Sequence, residues 1–150
     1  MKRAFICFIS VVLILVTLCS CGQEKEFVQK VVDYHNCFEF VKYGKENESL
    51  VASFDDVPDP YILTTAKLID DREETDFTAE TPDYYGVLCA TSGEYYSIFL
   101  KIYFEGEKVY TEVYTDNSPA QMIEKGILYC PNITVSQFEE LLSFTKAVKT

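Results

Sequence analysis

The chain has 150 residues, 48% of them hydrophobic and 25% charged, and its 24 acidic against 13 basic side chains give a formal net charge of −11. This length suits one domain with an ordinary core and is too short for two. The acidic balance argues against nucleic acid as a partner, because lysine and arginine neutralise phosphates. It also argues against attachment to an anionic bilayer by charge.

The N-terminus has the organisation of a secretory signal peptide. Lys2 and Arg3 precede an almost entirely apolar stretch from Ala4 to Leu18. That stretch is shorter than the roughly twenty apolar residues that cross a bilayer, and the polar residues 23–26 follow it. We therefore predict that residues 1–20 are a cleaved signal peptide. An uncleaved signal anchor is the alternative.

The predicted cleavage site, Leu18-Cys19-Ser20-Cys21, resembles the lipobox of bacterial lipoproteins. In that family the cysteine receives a diacylglyceryl group and the signal peptidase cuts in front of it. The resemblance implies lipidation of Cys21, and two or more acyl chains give stable anchoring. The protein would then lie outside the cytoplasm, on a cell membrane or an outer membrane, with the type of envelope left open.

The predicted mature chain consists of a lipidated tether, residues 21–26, and a single domain, residues 27–150. Its formal net charge becomes −13, because the signal peptide contains two basic and no acidic residues. Apart from Cys21, it contains three cysteines, and either one disulfide plus a free thiol or three thiols is compatible with that odd number. These cysteines are Cys37, Cys89 and Cys130.

The first half of the domain contains patterns typical of helices and patterns typical of strands. Apolar residues from Phe27 to Val41 fall near helical spacing, which predicts a helix ending at Gly44. The alternative is a helix to about Tyr34 followed by a strand, 37–43. Residues 50–54 and 61–69 read as strands, and residues 70–83 as an acidic, solvated loop. The acids of this loop match no EF-hand calcium pattern.

The clearest prediction is a hairpin with Gly106 first in a two-residue turn. Its register aligns two opposite-charge pairs and several apolar pairs, and cross-strand pairs stabilise sheets. The pairs are Glu105 with Lys108, Lys101 with Glu112, Leu100 with Val113, Ile102 with Thr111, Phe104 with Val109, Tyr103 with Tyr110, and Phe99 with Tyr114.

A preceding strand is predicted at 84–91, joined through a turn at Ser92-Gly93. That turn would align Cys89 with Tyr96, Val87 with Ile98, and Tyr85 with Leu100, which places Cys89 on the core face. A further short strand is predicted at 127–130. Ser136 and Glu139 form a capping box for a helix to about Val148, with an inner face of Phe138, Leu141, Leu142 and Thr145.

These elements predict an α+β domain: an antiparallel meander sheet of about four or five strands, with an N-terminal and a C-terminal helix packed on it. The layout is similar to cystatin-like or NTF2-like sheets curled around a helix. The similarity is one of layout, and no residue motif carries it.

Chemical motifs are sparse, and we predict no catalytic residue, no cofactor and no metal. The only histidine, His35, lies in no nucleophile motif and is predicted to be a partly exposed helix residue. A zinc site from His35 and the three cysteines has suitable ligand types but no paired spacing. Glycine-rich phosphate loops are absent from the sequence.

The predicted outer hairpin face is rich in aromatic residues around one charged pair, a composition typical of recognition surfaces. We predict binding of a protein, peptide or small ligand there, without catalysis; an immunity-type or inhibitor-type lipoprotein is a specific version. A carboxylate hydrolase and a structural or assembly lipoprotein are the alternatives. The candidate binding residues are Phe99, Lys101, Tyr103, Tyr110, Glu112 and Tyr114.

Overall fold

The computed structural model describes residues 35–91, 97–115 and 126–148, and within these ranges six strands form one antiparallel sheet. Two α-helices pack against it, so the domain is α+β, with slightly more strands than predicted. The strands are β1 (His35–Lys42), β2 (Ser49–Ser53), β3 (Tyr84–Ala90), β4 (Ile98–Glu105), β5 (Lys108–Thr115) and β6 (Leu128–Thr134). The helices are α1 (Asp59–Asp70) and α2 (Val135–Val148), with a short 3-10 helix at Phe54–Asp56.

The spatial order of the strands is β2-β1-β3-β4-β5-β6. The chain forms the hairpin of β1 and β2, crosses over through α1, and returns as β3 on the other side of β1. From β3 to β6 it is a meander of neighbouring strands. The predicted signal peptide, Cys21 and the tether lie outside the described residues.

Strand β1 corrects the prediction of a helix up to Gly44. Phe38 and Phe40 are fully buried and alternate with less buried neighbours, which is the period of a strand with one face in the core. Because β1 lies inside the sheet, pairing with β2 and β3 outweighs the approximate helical spacing. The alternative strand at 37–43 is confirmed, whereas residues 27–34 lie outside the described residues.

Helix α1 overturns the predicted strand at 61–69. The β-branched and aromatic residues of this segment favour a strand, but its buried residues follow helical spacing: Ile62, Thr65, Ala66, Leu68 and Ile69. Pro60 lies in the first helical turn, where its missing N–H costs nothing. Burial of one helical face therefore outweighs the local β propensity.

The predicted β4–β5 hairpin is confirmed at all seven pairs. Gly106 has a φ of +60°, the left-handed conformation that the first turn position requires and that glycine adopts without steric cost. Leu100, Ile102, Val109 and Val113 are buried, as the core-face assignment predicts.

The β3–β4 register is one residue away from the prediction. Gly86, not Tyr85, is opposite Leu100, and Val87 is opposite Phe99. The predicted turn and Tyr96 lie outside the described residues. A shift of one residue exchanges the two faces of a strand, so the prediction of Cys89 on the core face is wrong, and Leu88 takes that place.

Helix α2 has the predicted inner face, with Phe138, Leu141, Leu142 and Thr145 buried. Its capping box lies two residues earlier than predicted. The Thr134 hydroxyl accepts from the Gln137 backbone N–H at 3.2 Å. In return, the Gln137 side-chain Oε1 accepts from the Thr134 backbone N–H at 2.9 Å. Strand β6 contains residues 128–130 of the predicted strand at 127–130, and it continues directly into the helix.

Both helices cover the same face of the sheet. Phe138 of α2 packs edge-on against Phe40 of β1, with ring centroids 5.1 Å apart. The Thr111 hydroxyl of β5 donates to the Leu68 carbonyl of α1 at 2.8 Å. We call the opposite face of the sheet the outer face.

Candidate functional site

The six predicted binding residues lie together on the outer face. Their neighbours on β4 and β5 point into the core beneath the helices, and successive residues of a strand point to opposite faces. The register places them as three adjacent cross-strand pairs: Phe99 with Tyr114, Lys101 with Glu112, and Tyr103 with Tyr110.

Two of the six are covered by the acidic loop. Tyr103 and Tyr110 are each only 3% exposed. The Phe77 ring stacks on Tyr110, with centroids 4.0 Å apart and an angle of 12°, and it meets Tyr103 edge-on at 6.3 Å. Phe77 thus closes one end of the outer face with an aromatic cluster.

The sequence reasoning missed this contact and treated residues 70–83 as a solvated loop. The loop is held at both ends. Glu73 exchanges two backbone hydrogen bonds with Tyr129 on β6, at 2.8 and 2.9 Å. The Asp83 carboxylate accepts from the Phe104 N–H at 2.7 Å. The one signal in the sequence was Phe77 itself, which is the single aromatic residue of the acidic stretch.

Lys101 and Glu112 form the polar centre of the face. The Lys101 Nζ lies 3.2 Å from Glu112 Oε2, donates to the Tyr114 hydroxyl at 3.0 Å and lies 5.0 Å from that ring's centroid. The Tyr103 hydroxyl donates to Glu112 Oε2 at 3.1 Å. Each charge is therefore compensated within the sheet.

The pKa shifts agree with this compensation. The hydrogen bond to Tyr114 and the Glu112 carboxylate raise the pKa of Lys101 despite its burial. Burial would raise the pKa of Glu112, but hydrogen bonds from Tyr114, Lys101 and Tyr103 outweigh it and lower the pKa. Burial, with the Glu112 charge, raises the pKa of Tyr103 to about 12. Lys101 and Glu112 are thus ionised together at neutral pH, and Tyr103 is neutral.

A row of partly exposed side chains, apolar except for Glu39, continues from this centre across the sheet. Successive cross-strand pairs join five strands in one line. Phe99 is 42% exposed, and Tyr85, beside the row, is 37% exposed. We call this line the outer row; it consists of Val51, Glu39, Val87, Phe99 and Tyr114.

The sequence reasoning found Phe99 and Tyr114 of this row and missed the others. Because the predicted β3 register was shifted by one residue, Val87 and Tyr85 were assigned to the core. The observed register becomes clear only from the two residues that β3 buries on the core face, Gly86 and Leu88.

The four residues considered for a zinc site do not come together as one set. Cys37 and Cys89 face each other on the outer side of β1 and β3, whereas Cys130 is buried on β6 beside Thr111. His35 is a buried strand residue, which corrects the prediction of a partly exposed helix histidine. Among the described residues, no three histidine, cysteine or acidic side chains are arranged to hold a metal ion.

A groove lies between the two helices. This groove has a volume of about 420 Å³. The Tyr61 hydroxyl donates there to Glu140 Oε1 at 3.2 Å. Among the described residues that line the groove, Glu140 is the one carboxylate, whereas hydrolysis by paired carboxylates uses two. Its lining residues are Pro60, Tyr61, Leu63, Thr64, Lys67, Gln137 and Glu140.

Neither helix of the described ranges is long and apolar enough to cross a bilayer. Comparison with protein-family models, curated proteins and solved structures gives no significant match for this chain.

Proposed function

We propose that this chain is a cell-envelope lipoprotein that is anchored through Cys21 and binds a protein or peptide partner through the outer row. The proposal is for a binding domain and not for an enzyme. The observation that carries it is the exposure of Phe99 between the apolar side chains of Val87 and Tyr114 on the paired strands. Contiguous exposed apolar surface is typical of interaction sites.

The neighbourhood of Phe99 supports binding because it is already organised. Phe99 stands between Val87 and Tyr114 on paired strands, so little conformational freedom remains to be lost on association. The Lys101–Glu112 pair, with its side-chain distance of 3.2 Å, compensates its own charges. A partner that covers it does not leave an unpaired buried charge, which would be costly.

The burial of Tyr103 and Tyr110 narrows the proposed contact surface. Their rings lie under Phe77 and do not reach a partner in this conformation. Their role in binding is therefore indirect: Tyr103 donates to Glu112, and both rings hold Phe77 of the acidic loop in position. Phe99, Tyr114 and the Lys101–Glu112 pair remain as the direct contacts among the six predicted residues.

Charge indicates the chemistry of the partner. The mature chain would carry a formal net charge of −13, and long-range attraction of opposite charges accelerates association. Glu39 also places a carboxylate within the apolar outer row. We therefore propose a basic partner that presents an apolar group beside a lysine or arginine, such as a toxin or hydrolase that acts at the membrane surface.

The anchoring part of the proposal is tested by Cys21→Ser. Wild-type protein should carry an acyl-modified N-terminal peptide that starts at residue 21, as measured by mass spectrometry of the membrane fraction. The variant should lose the acyl mass and remain an uncleaved or mislocalised precursor. Normal processing of the variant, with no change in mass other than the substitution, would contradict lipidation at this residue.

The binding part is tested by crosslinking the intact lipoprotein in its native envelope and capturing it. Wild-type protein and Phe99→Ala are compared, with Tyr61→Ala as a matched control because it removes an aromatic ring from the helical side. A central aromatic contact commonly contributes about 2 kcal/mol or more, so Phe99→Ala should weaken capture at least about tenfold. Loss of the partner with Tyr61→Ala but not with Phe99→Ala would refute the outer row as the site.

A further inference from the structure

Two cysteines face each other across neighbouring strands. Cys37 on β1 is the direct cross-strand partner of Cys89 on β3, and both are partly buried thiols on the outer face. The two side chains are in hydrogen-bond contact. Opposite residues of antiparallel strands have Cα atoms about 4.5–5.5 Å apart, which lies within the range of about 4.4–6.8 Å that a disulfide spans.

The third described cysteine is excluded as a partner by its position. Cys130 is fully buried on the inner face, 3.6 Å from the Thr111 hydroxyl. Its strand is three places from β3 in the sheet, or about 14 Å at the usual strand spacing. Among Cys37, Cys89 and Cys130, the folded domain therefore offers one pairing.

We infer that Cys37 and Cys89 form a reversible disulfide between β1 and β3 when the protein meets an oxidising disulfide, while Cys130 remains a thiol. One thiolate attacks a sulfur of the external disulfide, forms a mixed disulfide and releases the first external thiolate. The second thiolate attacks the mixed disulfide at the protein sulfur and releases the other. Two electrons and two protons pass to the external disulfide, which leaves as two thiols.

The surroundings of Cys89 disfavour its thiolate. Burial, the hydrogen bond with Cys37 and the negative charge of Glu39 raise the pKa of the Cys89 thiol to about 11. The thiolate is the attacking species, and Cys89 supplies little of it at neutral pH.

The disulfide would stabilise the part of the sheet that carries the outer row. On the outer face, the Cys37–Cys89 pair is the next pair along β1 and β3 after Glu39–Val87, which belongs to that row. The crosslink would also enclose β2, α1 and the acidic loop within one covalent ring. The inference depends on the register of β1 and β3 and stands whether or not the outer row binds a partner.

The test uses the full chain, incubated natively with oxidised glutathione, then quenched with an alkylating reagent in denaturant and digested without reduction. Mass spectrometry should find one linked peptide pair joining Cys37 to Cys89, two hydrogens lighter than the sum of the reduced peptides, and Cys130 alkylated. Dithiothreitol should remove the link. Cys130→Ser should leave the link intact, and Cys37→Ser should abolish it without linking Cys89 to Cys130.

A matched incubation in denaturant shows whether the fold directs the pairing. Unfolded chains should give mixed pairings that include Cys130, whereas the native chain should not. The inference is overturned if native Cys37 and Cys89 are both alkylated after oxidation, or if either is linked to Cys130.

Discussion

Replacing Phe77 by alanine tests whether one aromatic ring holds the acidic loop on the outer face. The ring stacks on Tyr110 at 4.0 Å and meets Tyr103 at 6.3 Å. Aromatic pairs contribute about 0.5–1.5 kcal/mol each beyond the area that they bury, so two pairs amount to about 1–3 kcal/mol. A fully buried phenylalanine costs about 3–5 kcal/mol on truncation, and Phe77 is only partly buried. We expect Phe77→Ala to lower the free energy of unfolding by about 2 kcal/mol.

Phe99→Ala is the matched variant, because it removes the same side chain from the same face at an exposed position. It should cost less than about 1 kcal/mol, the range of a cross-strand pair. Urea unfolding followed by far-ultraviolet circular dichroism measures both variants, since the chain has no tryptophan to report on folding. If Phe99→Ala is the more destabilising of the two, the loop is not held by Phe77.

Gly86→Ala should destabilise the domain by about 1–3 kcal/mol in the same unfolding assay, because overpacking strains a core. A Cβ at this position would lie 2.8 Å from the buried Phe40 ring. An unchanged stability would contradict this close approach. Gly106→Ala meets no atom within 4 Å and should cost about 1 kcal/mol, from its positive φ alone; a larger loss would reveal a contact at the turn. Glu112→Gln should lower the free energy of unfolding by about 1.5–3 kcal/mol at pH 7, the range of charged hydrogen bonds. Because folding lowers the Glu112 pKa, its contribution is present above the unfolded value and is lost as pH falls through the folded one. The deficit of the variant should therefore shrink below about pH 4.5 in parallel acid titrations of both proteins, and a constant deficit would contradict the shift.

The hairpin of β4 and β5 was predictable because its determinants are local. A two-residue turn fixes the register, and the charge pairs Glu105–Lys108 and Lys101–Glu112 agree with the apolar pairs. Any other register would break several pairs at once. The sequence between residues 98 and 115 therefore contains enough information to place every side chain on its face.

The neighbouring β3–β4 pairing was not predictable in the same way. Its register is set by contacts with β1, since the Gly86 backbone lies against the ring of Phe40. These residues are more than forty positions apart in the chain. A prediction from the turn alone carried no such constraint, and a slip of one residue moved Val87 and Cys89 to the wrong face.

Helix α1 and Phe77 were missed for different reasons. In α1, the helical spacing of Ile62, Ala66 and Ile69 was present in the sequence but was outweighed by the β propensity of individual residues. For Phe77, no local sequence pattern indicated its contact with the sheet. Its stacking partner Tyr110 is reached only because the loop passes over the outer face, with its ends held by Glu73 and Asp83.

The position of the anchor limits where a partner of the outer row acts. Fourteen residue steps separate Cys21 from His35, where β1 begins. A chain of that length spans at most about 50 Å when fully extended. If Cys21 carries the lipid, as we propose, His35 cannot be farther than that from the bilayer surface. His35 also lies at the end of β1 nearest to the Cys37–Cys89 pair, which is next to the outer row. Under that proposal the outer row stays within reach of the membrane, and a partner that binds Phe99 would have to meet it there.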